Sequence, residues 1–272
     1  MFPAQTAPFR TVDLRHGAWP TTSEFLQQVE HLLLAPLVAD GPLTMLEVGC
    51  GVGALVGAMA AARPDSFFVG LDPDNELLDK GRTSFQRGTS NLAYVQASPV
   101  STGFRDGHFD LAVCRPLTLP SHELQPVLAE LTRVVRPGGT VALVSLDVNW
   151  SSLRPASRTF ASLLQAARRA PPAARAVLHQ GSDLPVLLAA LGFEEIDVGV
   201  TPLTCPDLRP QDLAALLLTM FARVLPPPTL GSLGEALTAE VANIARFPGL
   251  AMLGLFVVTA TMGCSPDAGG GR

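Results

Sequence analysis

The chain has 272 residues, enough to bury a sizeable core in one α/β domain with additions or in two small domains. Its net charge is −5 and its one lysine is Lys80, so there is no basic face to track a phosphate backbone and nucleic acid is not an expected partner. The cysteines Cys50, Cys114, Cys205 and Cys264 stand at no metal-ligand spacing and are too few for a disulfide framework; no metal site is expected, and a cytoplasmic location fits. Met1 to Arg10 carry no apolar signal core, and the apolar stretch 249–263 is too short to cross a bilayer, so no membrane span is expected.

In chain order, Thr21 to Leu37 read as an amphipathic helix that Thr22 or Ser23 can cap. Strands and helices then alternate: strand 44–48, helix 52–62, strand 66–71, helix 74–86, strand 92–97, strand 109–114, helix 121–135 and strand 140–146. Such alternation predicts a doubly wound, largely parallel sheet. Residues 148–180 are rich in Ala and Arg and read as helical. A helix over 183–191, a strand over 193–200, helices over 203–248 broken at Pro226-Pro227-Pro228, and a strand over 253–262 follow. Ser265 to Arg272 read as a Gly-rich disordered tail, which leaves 1–264 as a single expected domain.

The turn between the first strand and its helix is the most informative stretch. Leu46-Glu47-Val48-Gly49-Cys50-Gly51-Val52-Gly53 puts three glycines at alternate positions, where the backbone can take positive φ or approach a ligand without a Cβ. The helix start adds free N–H groups and a positive dipole end. The second strand ends in Asp72, whose carboxylate has acceptor oxygens for both hydroxyls of a ribose. A helix then runs into Pro137-Gly138-Gly139 and a further strand. Gly49-x-Gly51-x-x-Ala54 alone also fits a dinucleotide fingerprint.

Together, Glu47 with its three glycines, Asp72 and the Pro-Gly-Gly strand entry resemble the class I S-adenosylmethionine (SAM)-dependent methyltransferases of the methyltransferase domain 11 type, typified by quinone-biosynthesis enzymes. The resemblance covers residues 43–146. It implies a Rossmann-like seven-stranded sheet of order 3-2-1-4-5-7-6 with one antiparallel strand, and a helical cap from about 148–180 and 203–248 over its carboxyl edge. It implies SAM as cofactor, a small-molecule methyl acceptor, and cofactor contacts from Glu47, Gly49, Gly51, Gly53, Asp72, Pro73, Ala97, Ser98 and Cys114.

Each of these residues has a plainer use. Glu47 receives the SAM amino group or bonds to loop N–H groups, and Asp74 reads as a helix cap rather than a ligand. The family pattern has Gly-Asp-Ala where this chain has Ala97-Ser98-Pro99, so Ser98 either accepts one weak bond from adenine or caps a turn. Cys114 reads as packed, with no His or Lys nearby in sequence to make it a nucleophile. Arg115 either clamps an anionic acceptor or pairs with Glu123 on the surface. Asp147 and Trp150, after the fifth strand, are candidates to border an acceptor pocket, with a core role the alternative for Trp150. His122 is the best-placed candidate base, although no catalytic residue is assigned. The competing functions are a SAM-binding protein of the same fold that does not methylate, and an NAD(P) oxidoreductase. The latter lacks support because Tyr94, the chain's one tyrosine, has no lysine four residues on.

Overall fold

The computed structural model describes residues 34–38, 41–115, 124–175, 178, 180–204, 210–222, 224–246 and 250–263. A 3-10 turn, Ala35–Val38, leads to β1 (Thr44–Val48), α1 (Ala54–Ala62) and β2 (Phe67–Asp72). Next come α2 (Asn75–Gly81) with a π-helical turn Arg82–Gln86, β3 (Leu92–Gln96), β4 (Phe109–Cys114), α3 (Leu124–Val134) and β5 (Val135–Arg154). The chain closes with α4 (Arg158–Ala167), α5 (Pro172–Arg175), α6 (Gln180–Ala190), β6 (Phe193–Thr204), α7 (Pro210–Ala222), α8 (Pro227–Arg246) and β7 (Leu250–Met262).

The seven strands form one sheet in the expected order, β3-β2-β1-β4-β5-β7-β6. β1 to β5 run parallel where they pair, and β7 is antiparallel to both β5 and β6. The central strands are apolar runs because both faces are covered. One face packs Met45, Leu111, Val113 and Val144 against α1 (Leu55, Met59), α7 (Leu213, Leu217) and α8 (Leu237, Val241). The opposite face packs Leu46, Val48, Ala112 and Leu143 against α3 (Leu124, Val127, Leu131) and α6 (Leu184, Leu188). In α3 these buried positions fall at helical spacing, which makes one apolar stripe. Among the described residues no helix is long and apolar enough to cross a membrane.

Three sequence expectations need correction. Residues 148–154 are not helical: β5 runs on to Arg154, because past an irregularity at Asp147–Ser152 it pairs again with β7 (Leu153 with Ala251). The helical part of that segment begins only at α4, capped by Ser157, whose hydroxyl accepts from Phe160 N at 2.8 Å. β6 likewise extends to Thr204, and β7 begins at Leu250. The helix expected over 74–86 is divided, α-helical to Gly81 and π-helical from Arg82. The expected N-terminal helix lies outside the described residues up to residue 33, as do His122, Glu123 and the tail from residue 264.

Candidate cofactor site

β1 and β4 are adjacent, yet α1 leaves to one face of the sheet and α3 to the other. Ligands of doubly wound sheets sit in the crevice that opens beyond the carboxyl ends of such strands. The glycine turn forms one wall. Gly49, Gly51 and Gly53 all have left-handed φ, at 73°, 57° and 69°. Gly49 N and Cys50 N both donate to Leu71 O, at 2.8 and 3.0 Å, which pins the turn to the end of β2. A Cβ on Gly51 would meet nothing within 4 Å, whereas one on Gly53 would enter the Tyr94 ring. The turn is therefore open on the Gly51 side and packed shut on the Gly53 side. The Gly51 side is a cradle that fits a polar ligand approaching backbone.

Asp72 is buried at the carboxyl end of β2. Its Oδ2 accepts from Gly51 N at 2.8 Å and its Oδ1 from Asp74 N at 2.9 Å. An ionised carboxylate has about four lone-pair directions, so this arrangement orients both oxygens and still leaves acceptor capacity. Asp74 is a helix cap, accepting from Glu76 N at 2.9 Å and Leu77 N at 3.4 Å. Pro73 is exposed beside it, and its carbonyl accepts from Gln96 Nε2 at 3.2 Å. Ala97 N donates to Asp72 O at 3.3 Å, and Ser98 begins a tight turn with Ser101 N bonded to Ser98 O at 3.1 Å. Its side chain is exposed. Pro73, Ala97 and Ser98 thus lie at the β2–β3 edge next to Asp72.

Glu47 is 0 % exposed on β1. Its Oε1 lies 2.6 Å from an Arg115 guanidinium nitrogen, and Oε2 accepts from Val56 N, in the first turn of α1, at 3.2 Å. Arg115 is only 7 % exposed, so it is not the surface residue that pairing with Glu123 required. Cys50 and Cys114 are both buried. Burial, with Glu47 and Asp72 nearby, pushes the Cys50 thiol well up, and burial pushes Cys114 up to about 12. Both are protonated at neutral pH, and neither is a nucleophile in that state.

Asp147 and Trp150 stand elsewhere. Asp147 is completely buried; Oδ1 accepts from Asn149 N at 2.8 Å, while Oδ2 accepts from the Ser182 hydroxyl and from Ser182 N at 3.0 Å. It tethers the first turn of α6. Trp150 is 48 % exposed and meets Phe256 edge-on at 5.6 Å; Phe256 in turn covers Gly181 of α6. Both residues therefore lie on the α6 face, across the sheet from α7 and α8. In the inserted helices, a cavity of about 290 Å³ opens between the start of α4 and α8, lined by Pro155, Ser157, Arg158, Glu240, Asn243 and Ile244.

Sequence reasoning missed Tyr94. Burial raises its pKa, and its hydroxyl donates to Gly53 O at 3.3 Å, so the ring is a neutral prop under the turn. The clue was available, since Tyr94 sits on β3 in register with Gly70, and added Cβ atoms at Gly53, Gly70 and Gly81 would all meet it.

Residues 45–139 match the family described as a methyltransferase domain. The chain is 28% identical over 156 residues to a ubiquinone biosynthesis O-methyltransferase of Aromatoleum aromaticum, covering 55% of this chain and 65% of that protein. It spans between 48% and 65% of the length of three such curated relatives. Among solved structures, the phosphoethanolamine N-methyltransferase 2 of Haemonchus contortus, in complex with SAM, gives a TM-score of 0.56 at 15% identity over 87% of this chain and 53% of that one. The cyclase SpnF gives 0.54 at 18% identity over 88% and 82%. At such identities the structural likeness shows the fold alone.

Proposed function

We propose that this chain, whose residues 45–139 match a methyltransferase domain, is a class I SAM-dependent methyltransferase that transfers a methyl group from SAM to a small-molecule acceptor, with 1–264 acting as one domain. The observation that carries the reading is the Gly49–Gly53 turn, open at Gly51 and bonded through Gly51 N to the Asp72 carboxylate. Asp72 is the ribose acceptor on this reading, and the backbone around Gly49 and Gly51 receives the amino-acid end. Pro73, Ala97 and Ser98 border the adenine.

A bound sulfonium supplies a methyl carbon already activated for in-line displacement. What the chain contributes is orientation and exclusion of water. The buried Asp72 holds its oxygens ready through two backbone N–H bonds, so little reorganisation is needed on binding. The acceptor enters beyond β4 and β5, under the helices inserted after β5 and β6. Support comes from the apolar cover that α4, α7 and α8 give this end of the sheet. No side chain is assigned as base, since positioning alone suffices for a nucleophilic acceptor.

Calorimetry with SAM, S-adenosylhomocysteine (SAH) and NADH tests the cofactor. SAM and SAH should bind at micromolar level or tighter, and binding of NADH alone would overturn the reading. Release of SAH in the presence of candidate acceptors tests the transfer. The second reading, a SAM-binding protein of this fold with another reaction, is favoured by Ser98 standing where the family pattern has an acid. It predicts SAM binding without SAH release.

A further inference from the structure

One ion pair spans the crevice between β1 and β4. Glu47 comes from the penultimate position of β1, and Arg115 is the first residue after β4. Their 2.6 Å contact joins two segments 68 residues apart in sequence. The other oxygen of the same carboxylate holds Val56 N at the start of α1. A single side chain thus ties the chain leaving β4 to the helix that follows the glycine turn, and this tie lies beneath the turn itself.

We propose that Arg115 is a positioning residue for the cofactor turn: it keeps Glu47 charged and in place, and Glu47 holds the start of α1, and with it the Gly49–Gly53 turn, in its ligand-accepting shape. The inference rests on the cofactor reading above. A carboxylate without exposure is stable in its charged form only if it is paired and hydrogen-bonded. Among the described residues, Cys50 on the turn, Cys114 on β4, Tyr94 on β3 and Asp72 on β2 are titratable groups whose fields reach this cluster. The two thiols and the phenol are neutral at pH 7, their pKa values raised chiefly by burial. Asp72 adds negative charge. Arg82 is drawn off by Asp79, at 2.6 Å, and by the Tyr94 carbonyl, at 3.3 Å. Arg115 is in direct contact with Glu47, at 2.6 Å.

SAH binding to the full chain by calorimetry, across about pH 6 to 8.5, where a desolvated carboxyl titrates, tests this. Wild type should bind with a nearly flat profile, because the Arg115 guanidinium at 2.6 Å favours the charged form of Glu47. Arg115→Met should bind at least about tenfold more weakly near pH 7, with affinity climbing as pH rises, because Glu47 has lost the Arg115 charge that favours its ionised form. Arg115→Lys should recover part of the affinity and flatten the profile. Glu47→Gln/Arg115→Met removes both charges, so it tolerates burial even if the single variant does not fold; it should bind weakly with no pH dependence. Wild-type affinity and a flat profile in Arg115→Met, or wild-type affinity in the double variant, would overturn the proposal. Absence of SAH binding to the wild type at every pH would instead remove the cofactor reading beneath it.

Discussion

Gly51 and Gly53 share a backbone handedness and put it to different uses. Both lie in the left-handed region, where a non-glycine residue is strained. At Gly53 a methyl group would also collide with the Tyr94 ring. Gly53→Ala should therefore cost about 2–5 kcal/mol, from backbone strain plus overpacking. Gly51→Ala meets open space and should cost only about 1 kcal/mol in stability. On the cofactor reading that open space is where the ligand lies, so Gly51→Ala should lower SAH affinity by about tenfold or more although the fold persists. Urea titration and calorimetry on the two variants check the ordering; a Gly51→Ala protein with unchanged affinity would put the ligand elsewhere. Asp72→Ala should weaken SAH binding more than Ser98→Ala does, because it removes a charged acceptor and also frees Gly51 N, whereas Ser98 offers one neutral group. The glycines, Asp72 and the Asp74 cap were legible in sequence because each is a local signal within a few residues of a strand end. The Glu47–Arg115 pair was not, since a spacing of 68 residues carries no pattern. The expected strand order already set the end of β4 beside the end of β1, and the pair could have been sought there.

The connection between β3 and β4 is held by α3 through a small ionic cluster. Glu130 Oε1 accepts from Thr102 N at 2.8 Å and from Thr102 Oγ1 at 2.7 Å, and Arg133 lies 2.7 Å from the same oxygen. Arg133 also reaches Phe104 O at 2.7 Å and Asp106 at 2.6 Å. The Arg133 bond, with those from Thr102, draws the Glu130 carboxyl from 4.5 down to about 2. A carboxyl whose folded pKa is depressed contributes stability above its unfolded pKa, and that contribution fades as pH falls toward the folded value. Glu130→Gln should accordingly cost about 1–2 kcal/mol at pH 7, the partial exposure of Arg133 screening the pair. The gap from wild type should close between about pH 4.5 and 2. Chemical denaturation at several pH values measures it, and a gap that stays constant on acidification would show that the cluster contributes through shape alone. Elements with this kind of local logic matched expectation: β4 over 109–114, and α3, read as a helix over 121–135 and described from Leu124 to Val134. Those shaped by distant partners did not. The π-turn at Arg82 interrupts a run that reads as one helix; Thr83 Oγ1 bonds back to Asp79 O at 2.9 Å and Phe85 is drawn over Gly57. The extension of β5 to Arg154 depends on β7, about a hundred residues later, for its pairing.

Across the whole molecule, the match to the methyltransferase-domain family ends at residue 139, and the rest builds the other half of the sheet and its inserted helices. The two parts share a core, since Leu55 and Met59 of α1 belong to the same buried cluster as Phe221 of α7 and Val241 of α8. Stability is therefore common property, while the hydrogen bonds of the glycine turn close locally on Leu71 and Asp72. Glu240 tests whether binding is local too. From α8 it accepts hydrogen bonds from the Ser157 hydroxyl, from Thr159 Oγ1 at 2.6 Å and from Thr159 N at 3.3 Å, so it fastens the start of α4 to α8. A carboxylate at a helix N-terminus also meets the favourable end of the helix dipole. The hydroxyl and backbone bonds help hold its pKa below the usual range. Glu240→Ala leaves the buried Ser157 and Thr159 hydroxyls without this acceptor and should cost about 1–3 kcal/mol in stability. SAH affinity should stay within about twofold of wild type, because a structural loss far from a preformed site changes folding free energy and not the ligand contacts. The acceptor side, by contrast, should feel the change, since α4 and α8 form the cover proposed for it. If calorimetry shows SAH affinity falling by an order of magnitude with Glu240→Ala, the cofactor turn and the inserted helices act as one cooperative unit, and the division between a donor half and an acceptor half is wrong.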